Sequence, residues 1–334
     1  MKKSILTFIG VFILFFVSCE KDNEVHTDNI NIPDFDFPKT VQFEQNLSSY
    51  NIFDGASSDL TPTDDYKLLE LSSILFTDYA YKQRLVKLPS GTTISKQSDG
   101  SLEFPDGTIL TKTFYYYNNE SDLSEGKNII ETRLLIKESD IWNVATYIWN
   151  ESQTDATLET DGKDIQISWK NTKGINQSTL YHIPTENECM TCHQSNSALS
   201  PIGPSILNLN RDVERDGTRI NQLQHLQSLN ILEMFDVNEE PHMVDYNNSS
   251  ESLTKRGRAY LAMNCSHCHN PNAWDRPAEK EFDFRYDTPF GETGIPYEEE
   301  KIIKSVQNRK MPLVGTSMLD EEGINLLVEY LENL

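Results

Sequence analysis

Alternation between apolar and polar positions dominates the chain from about residue 41 to residue 180. Short β-prone runs recur there, and turns rich in Gly, Asn, Asp and Ser separate them, which is typical of antiparallel strands. We therefore predict an all-β domain over residues 41–180. Its tryptophans are predicted to lie in the core, because Trp in alternating strands packs more often than it binds a ligand. The clearest runs are Gly107 to Phe114, Glu131 to Ile136, Trp142 to Trp149 and Ile165 to Trp169.

Helical spacing replaces this pattern after about Tyr181. Apolar residues recur every three or four positions from Asn221 to Leu232 and again from Ile324 to Leu331. Acidic residues at positions 320–322 precede the last of these segments, where the helix macrodipole favours negative charge. We therefore predict a multidomain chain in which two small, mainly α modules, over residues 181–250 and 251–334, follow the β domain.

Residues 1–18 have the form of a secretory signal peptide. Lys2 and Lys3 precede an apolar run from Ile5 to Val17, which is too short to span a bilayer comfortably. The run Phe16-Val17-Ser18-Cys19 resembles a bacterial lipobox. We therefore predict that Cys19 becomes the lipidated first residue of the mature chain. An ordinary signal peptide that happens to carry a cysteine is the alternative.

The segment over residues 19–40 is rich in Asp and Asn, contains Pro33 and Pro38, and lacks periodicity, which indicates a flexible tether. Glu20, rather than Asp, follows Cys19, and this favours the outer membrane over the inner one. We therefore predict a lipid-anchored protein of the periplasm or cell surface, attached to the outer membrane. Its membrane contact is predicted to be through the lipid anchor only.

The charge balance restricts the partners of the chain. Its 29 basic and 52 acidic residues give a net charge of −23, which argues against nucleic acid or an anionic lipid surface as the main partner. We predict instead a redox partner protein with a basic docking face.

Cysteine spacing carries the strongest chemical signal in the chain. Five cysteines are present, and setting Cys19 aside leaves four, all in two C-x-x-C pairs that a histidine follows directly. This C-x-x-C-H pattern is the attachment motif of c-type haem, in which the thiols hold the porphyrin and the histidine binds the iron. We therefore predict two covalently bound haem c groups. The motifs are Cys189-Met190-Thr191-Cys192-His193 and Cys265-Ser266-His267-Cys268-His269.

A zinc site and a pair of redox disulfides are the competing interpretations of these four cysteines. The 72 residues between Cys192 and Cys265 exceed the gap of about 15–20 residues that is typical of four-cysteine zinc sites. Zinc would also leave the two following histidines without a role. Haem explains all six residues.

The motif histidines, His193 and His269, are predicted to bind the two irons on one side. For the second haem we predict Met311 as the opposite ligand, because it lies 42 residues beyond His269 and directly before Pro312, and a thioether stabilises ferrous iron. A core methionine is the alternative, Met318 is the fallback ligand, and His267 is expected to face solvent. The first haem has five candidates within reach, and the sequence does not choose among them: His182, His225, Met234, His242 and Met243.

These motifs resemble an uncharacterised family of exported bacterial dihaem c-type cytochrome-like proteins with a β-rich N-terminal domain. The resemblance extends from about residue 70 to the end of the chain and implies haem binding without implying a reaction. Both α modules are expected to be cytochrome c-like haem modules, and the context of Met311 resembles the small class I cytochromes c, so the module over residues 251–334 is expected to be of that class. The matching segments include Phe104-Pro105-Asp106-Gly107-Thr108, Glu131-Thr132-Arg133-Leu134-Leu135, Pro201-Ile202-Gly203-Pro204, Leu209-Asn210-Arg211-Asp212 and Asn264 to Pro271.

Electron transfer is the function that these expectations favour, since no constellation of acid and base side chains is evident. The alternative is a dihaem peroxidase or oxidase-like enzyme with one open haem site, which the missing ligand of the first haem motivates. A third hypothesis is a binding protein whose β domain captures a ligand. The sequence favours an electron-transfer protein over a catalyst.

Overall fold

A computed structural model gives the fold of residue 35 and residues 37–196, 198–273, 281–312 and 314–334. The predicted signal peptide, the lipidation residue Cys19 and most of the tether lie outside these described residues. Every helix within them is too short or too polar to cross a bilayer.

The described residues form a mostly β structure to which short helices are added. The strands are β1 (Lys67–Leu68), β2 (Tyr81–Lys87), β3 (Ser95–Lys96), β4 (Leu102–Glu103), β5 (Ile109–Tyr117), β6 (Lys127–Glu138), β7 (Ile141–Trp149), β8 (Ala156–Glu159), β9 (Lys163–Lys170), β10 (Asn176–Ile183), β11 (Gln194–Ser195), β12 (Ala198–Leu199), β13 (Asp212–Arg215) and β14 (Thr218–Asn221). The helices are α1 (Glu186–His193), α2 (Ile206–Leu209), α3 (Gln222–Ser228), α4 (Leu253–Asn264), α5 (Ile295–Gln307) and α6 (Glu321–Glu332).

Six strands form one antiparallel sheet in the order β1-β2-β5-β6-β7-β8. Leu110 and Leu135 lie directly opposite each other on β5 and β6 and face the main hydrophobic core. Leu134, the neighbour of Leu135, points to the other face because side chains alternate along a strand. There it packs with Ile52 and Leu60 from the segment before β1. The sheet therefore separates two cores.

The strand predictions are confirmed, since the four predicted runs lie in β5, β6, β7 and β9. The packing of the tryptophans is confirmed as well. Trp149 and Trp169 are buried, and Trp142 contacts Phe104 edge to face with ring centroids 5.5 Å apart. The hairpin of β9 and β10 adds a third core, in which Trp169 packs near Phe114 of the sheet.

The prediction of two mainly α modules is wrong. The chain over residues 181–250 has short helices, α1, α2 and α3, interrupted by the hairpins β11–β12 and β13–β14. The apolar spacing continues to Leu232, but α3 ends at Ser228 because the chain turns at Asn230 with a φ of 56°. Helices this short cannot enclose a core of their own.

The helical residues instead complete the core of the sheet. Leu223 and Leu226 of α3 belong to the same cluster as Leu110 and Leu135 of the sheet, and Leu327 of α6 belongs to it too. The apolar stripes that suggested separate modules are therefore the surfaces that cover the β structure. The boundaries predicted near residues 180 and 250 stay predictions.

Helices α4 and α6 meet at two glycines. A Cβ added to Gly257 of α4 would lie 2.3 Å from the ring of Tyr330, and one added to Gly323 of α6 would lie 2.1 Å from the ring of Tyr260. Each buried tyrosine therefore fills the space that a side chain on the facing glycine would need. This reciprocal contact fixes α4, whose C-terminal end leads directly into Cys265.

Replacing Gly257 with alanine is expected to lower the free energy of unfolding, at the upper end of the roughly 1–3 kcal/mol that overpacking costs. The added methyl group has no room, because the Tyr330 ring occupies its position. Gly291→Ala is the matched control, since a Cβ there meets nothing within 4 Å. Urea unfolding of both variants measures the difference, and equal stabilities would contradict the reciprocal contact.

Candidate functional site

Both C-x-x-C-H motifs face one cavity, although they lie far apart in the sequence. The space between these walls, with the open mouth included, is about 1740 Å³. Strands β5 and β6, helices α1, α4, α5 and α6, and the chain between α5 and α6 contribute to its lining. The predicted site residues that line it are Cys189, Cys192, His193, Cys265, Cys268, His269 and Met311, together with His182, His267 and Met318.

Helix α1 presents the first motif. Thr185 and Glu188 form a capping box that fixes its first turn, and His193 is its last residue. The Nδ1 atom of His193 donates to the Ser200 carbonyl at 2.9 Å, and a carbonyl accepts only from a protonated nitrogen. This contact assigns the proton to Nδ1 and leaves the lone pair on Nε2, as in histidines that bind metals. Burial lowers the pKa of His193 to about 4, which keeps the ring neutral.

Helix α4 leads into the second motif. The amide of Cys265 donates to the Leu261 carbonyl at 2.9 Å, and the amide of His269 donates to the Cys265 carbonyl at 2.9 Å, so a helix-like turn continues through the motif. The ring of His269 lies beside Phe282 and Phe284, with centroids 5.7 and 5.3 Å away. These aromatic contacts set the orientation of its imidazole.

The second cysteines of the two motifs converge. The ligand atoms of Cys192, His267 and Cys268 all lie within 4.8 Å of one another. Hydrogen bonding from Cys268, with His267 adding to it, holds the pKa of Cys192 well below its ordinary value. The first cysteines differ, because burial raises the pKa of Cys189 to about 11 and that of Cys265 to about 12. No disulfide joins any of these four cysteines.

The expectation that His267 faces solvent is wrong. Its Nδ1 atom is buried and has no hydrogen-bond partner among the described residues. The ring lines the cavity next to Cys192 and Cys268 because the two motifs fold toward each other. The spacing of residues within one motif does not reveal that the other motif lies next to it in the fold.

The segment before α6 brings Met311 and Met318 to the cavity. Met311 is partly buried against the main core, whereas Met318 packs against the core beside the β9–β10 hairpin. The carboxylate of Asp78 accepts from the amides of Ser317 and Met318, each at 2.9 Å. Burial raises the pKa of Asp78, and these amide donors oppose that shift. Asp78 thus anchors the methionine-bearing segment to the sheet side of the cavity.

The five candidates for the first haem do not converge on the cavity. His182 lines it, but both ring nitrogens are engaged, Nδ1 with Asp164 at 2.7 Å and Nε2 with Glu188 at 3.2 Å. The other four are absent from the lining: His225, Met234, His242 and Met243. The structure therefore gives none of these five residues a position from which it could bind the first iron without losing a partner, and Met318, the fallback for the second haem, lines the same cavity.

The C-x-x-C-H motifs do not identify two basic residues that line the cavity: Lys112 of β5 and Arg133 of β6. A signal was present, since Lys112 alternates in phase with Leu110 and Phe114 and so occupies an inward position of its strand. Asp78 carries no comparable signal, because its role depends on a segment more than 200 residues later in the chain.

Comparisons of the chain with protein-family models, with curated proteins and with solved structures found no match. The family resemblance therefore stays a prediction that rests on the motifs themselves.

Proposed function

We propose that this chain is an exported c-type cytochrome that carries two covalently bound haems and transfers electrons. The observation that carries the proposal is the convergence of both C-x-x-C-H motifs and Met311 on one cavity. A metal or disulfide site shared by the two motifs would use their cysteines and leave His193, His269 and Met311 without a role at the cavity. The site needs no acid or base side chain for this function.

The residues present fit haem. Cys189 and Cys192 would hold the first group and Cys265 and Cys268 the second, and no disulfide joins these four cysteines. His193 keeps Nε2 available for iron because its Nδ1 donates to Ser200. Haem supplies reversible one-electron chemistry, which axial ligands and burial tune. The protein's contribution is to orient the two histidines, exclude water and hold the two attachment sites next to each other.

The contact between Cys192 and Cys268 favours exchange of electrons within the chain. Each is the second cysteine of its motif, and their sulfurs belong to a cluster within 4.8 Å. The two attachment points are therefore adjacent rather than at opposite ends of the molecule. An electron that enters at one site has a short route to the other.

The partner and the location extend the proposal. Glu299 and Glu300 of α5 are exposed, and Val306 of the same helix lines the cavity. An acidic surface thus lies on an element that reaches the site, which suits a redox partner with a basic docking face. Lipidation at Cys19 would hold the chain at the outer membrane, facing the periplasm or the cell surface.

An enzyme with one open haem is the second candidate. Both ring nitrogens of His182 are engaged, and the other four candidates for the first iron are absent from the cavity lining. Low-temperature electron paramagnetic resonance of the oxidised protein separates the two functions, because spin state reports the sixth ligand. Two low-spin signals support the electron carrier, whereas one high-spin signal together with peroxide consumption supports the enzyme.

A metal site at Cys192, His267 and Cys268 is the third candidate, because their ligand atoms already cluster. The deciding experiment produces the full chain in a bacterial host that attaches c-type haem and in the same host without that machinery. Intact mass, the pyridine haemochrome spectrum and bound metals are then measured. Covalent haem on both motifs supports the proposal, and stoichiometric zinc without haem in both hosts overturns it.

A further inference from the structure

A row of three basic side chains crosses the sheet. Arg84 of β2 lies directly opposite Lys112 of β5, and Lys112 lies directly opposite Arg133 of β6. Residues that face each other across antiparallel strands project from the same side of the sheet, where like charges repel. Lys82, two positions before Arg84, projects from that side as well. These four basic side chains therefore lie together on one side of the sheet, where their positive charges repel one another.

One member of the row is neutralised within the protein. The guanidinium of Arg133 donates to both oxygens of Glu131, at 2.8 and 2.5 Å, and the hydroxyl of Tyr181 also donates to Glu131 at 2.7 Å. No carboxylate of the described residues lies within 4.0 Å of the cationic groups of Lys112 or Arg84. Lys112 and Arg84 therefore have no ion-pair partner among the described residues, although the Lys112 ammonium lies over the ring of Phe114, 4.9 Å from its centroid.

Burial makes this charge costly. Burial is the largest cause of the lowered pKa of Lys112, and the positive charges of the neighbouring Arg84 and Arg133 lower this pKa further. Burial also lowers the pKa of Lys82 to about 7. A buried cation is retained in proteins when an anion or a hydrogen-bonded partner compensates it. In a chain with a net charge of −23, such a concentration of unmatched cations indicates a local anionic ligand.

The row points at the first motif. Lys112 and Arg133 line the cavity. Cys189, Cys192 and His193 of the first motif line the same cavity. The acidic residues of the lining have other partners, since Glu188 bonds to Thr185 and Asp320 caps α6. The cations are therefore open to a ligand that enters between the sheet and α1.

We propose that Lys112 and Arg133, with Arg84 as the strand neighbour of Lys112, form an anion-binding floor of the cavity, and that its ligand is a carboxylate of the prosthetic group attached to Cys189 and Cys192. The inference rests on the proposed function. A free oxyanion that enters the cavity has the same negatively charged oxygens and could bind these basic side chains in the same way. The charged oxygens of a carboxylate accept hydrogen bonds from the N–H groups of arginine and lysine, which suits a mixed arginine and lysine site.

The test uses Lys112→Gln in a chain that carries Cys265→Ala and Cys268→Ala, so that one attachment site is left. The midpoint potential of the remaining haem is expected to fall, because the loss of a nearby cation disfavours the reduced form. Lys112→Arg keeps the charge and is expected to restore the potential. Lys163→Gln, on the exposed first position of β9, is the matched control and is expected to leave it unchanged.

Inorganic phosphate distinguishes the two sources of the anion. If a carboxylate of the haem occupies the row, phosphate leaves the potential of the parent protein unchanged. If the row binds a free oxyanion, phosphate shifts the parent potential and has no effect on Lys112→Gln. An unchanged potential in Lys112→Gln, with no phosphate effect in either protein, overturns the inference.

Failure of the proposed function has a different signature. It appears as the absence of covalent haem in the intact mass of the unmodified chain. Calorimetric titration of that haem-free chain with phosphate then decides whether the anion site exists. If Lys112→Gln weakens phosphate binding roughly tenfold or more, about 1.4 kcal/mol, the row is a site for a free oxyanion. Absence of phosphate binding to the haem-free chain overturns the anion site.

Discussion

Cys189→Ala and Cys192→Ala are expected to lower the covalent haem at the first motif to the same extent. Each removes one of the two thiols that hold the porphyrin, and neither thiol is redundant in a C-x-x-C-H site. The double variant is expected to halve the haem content of the protein. Intact mass and the haemochrome spectrum measure both quantities.

This pair of variants separates haem from a metal site because only one of the two cysteines belongs to the thiol cluster. Cys192 lies within 4.8 Å of the ligand atoms of His267 and Cys268, whereas Cys189 is outside that group. A metal held by the cluster would be lost in Cys192→Ala and retained in Cys189→Ala. Such an unequal result, with no haem on either variant, would exclude the proposed function.

The second motif provides the matched control. Cys265→Ala with Cys268→Ala is expected to remove the other haem and to leave the first one attached, since each motif holds its own group. No disulfide joins the four motif cysteines, so these changes break none. Loss of both haems from either double variant would show that the two sites do not load independently.

The strands and the chemistry of the motifs could be predicted from sequence because both depend on short-range patterns. Alternation located β5 to β7 and β9, and the negative residues before α6 located its start, where Asp320 accepts from the Gly323 amide at 2.9 Å. The motif residues are contiguous, so their identity alone indicates the cofactor.

The relation between the elements could not be predicted in the same way. Leu223 and Leu226 have helical spacing, but spacing does not say whether their partner is another helix or a sheet, and the structure packs them on the sheet. The approach of Cys192 to Cys268 depends on how α1 and α4 pack around it. Lys112 and Asp78 likewise acquire their roles only from chain segments distant in sequence.

Met311→Ala is expected to remove the methionine-to-iron charge-transfer band of the second haem and to lower its midpoint potential. A thioether stabilises the ferrous state, so its loss is expected to cost about 0.1 V or more of the roughly 0.8 V range that axial ligands span. The experiment uses the background of Cys189→Ala and Cys192→Ala, in which one attachment site is left and the spectrum reports a single iron.

Met318→Ala is the matched variant, because it also removes a methionine from the same cavity. Met311 packs with the main core that contains α4, whereas Met318 packs beside the β9–β10 hairpin, near the side of the sheet that carries Phe114. The band of the second haem is therefore expected to survive in Met318→Ala. If Met318→Ala removes the band and Met311→Ala retains it, the ligand is Met318. If both variants retain the band and the potential, the two methionines only fill space in the core and the predicted ligation is wrong.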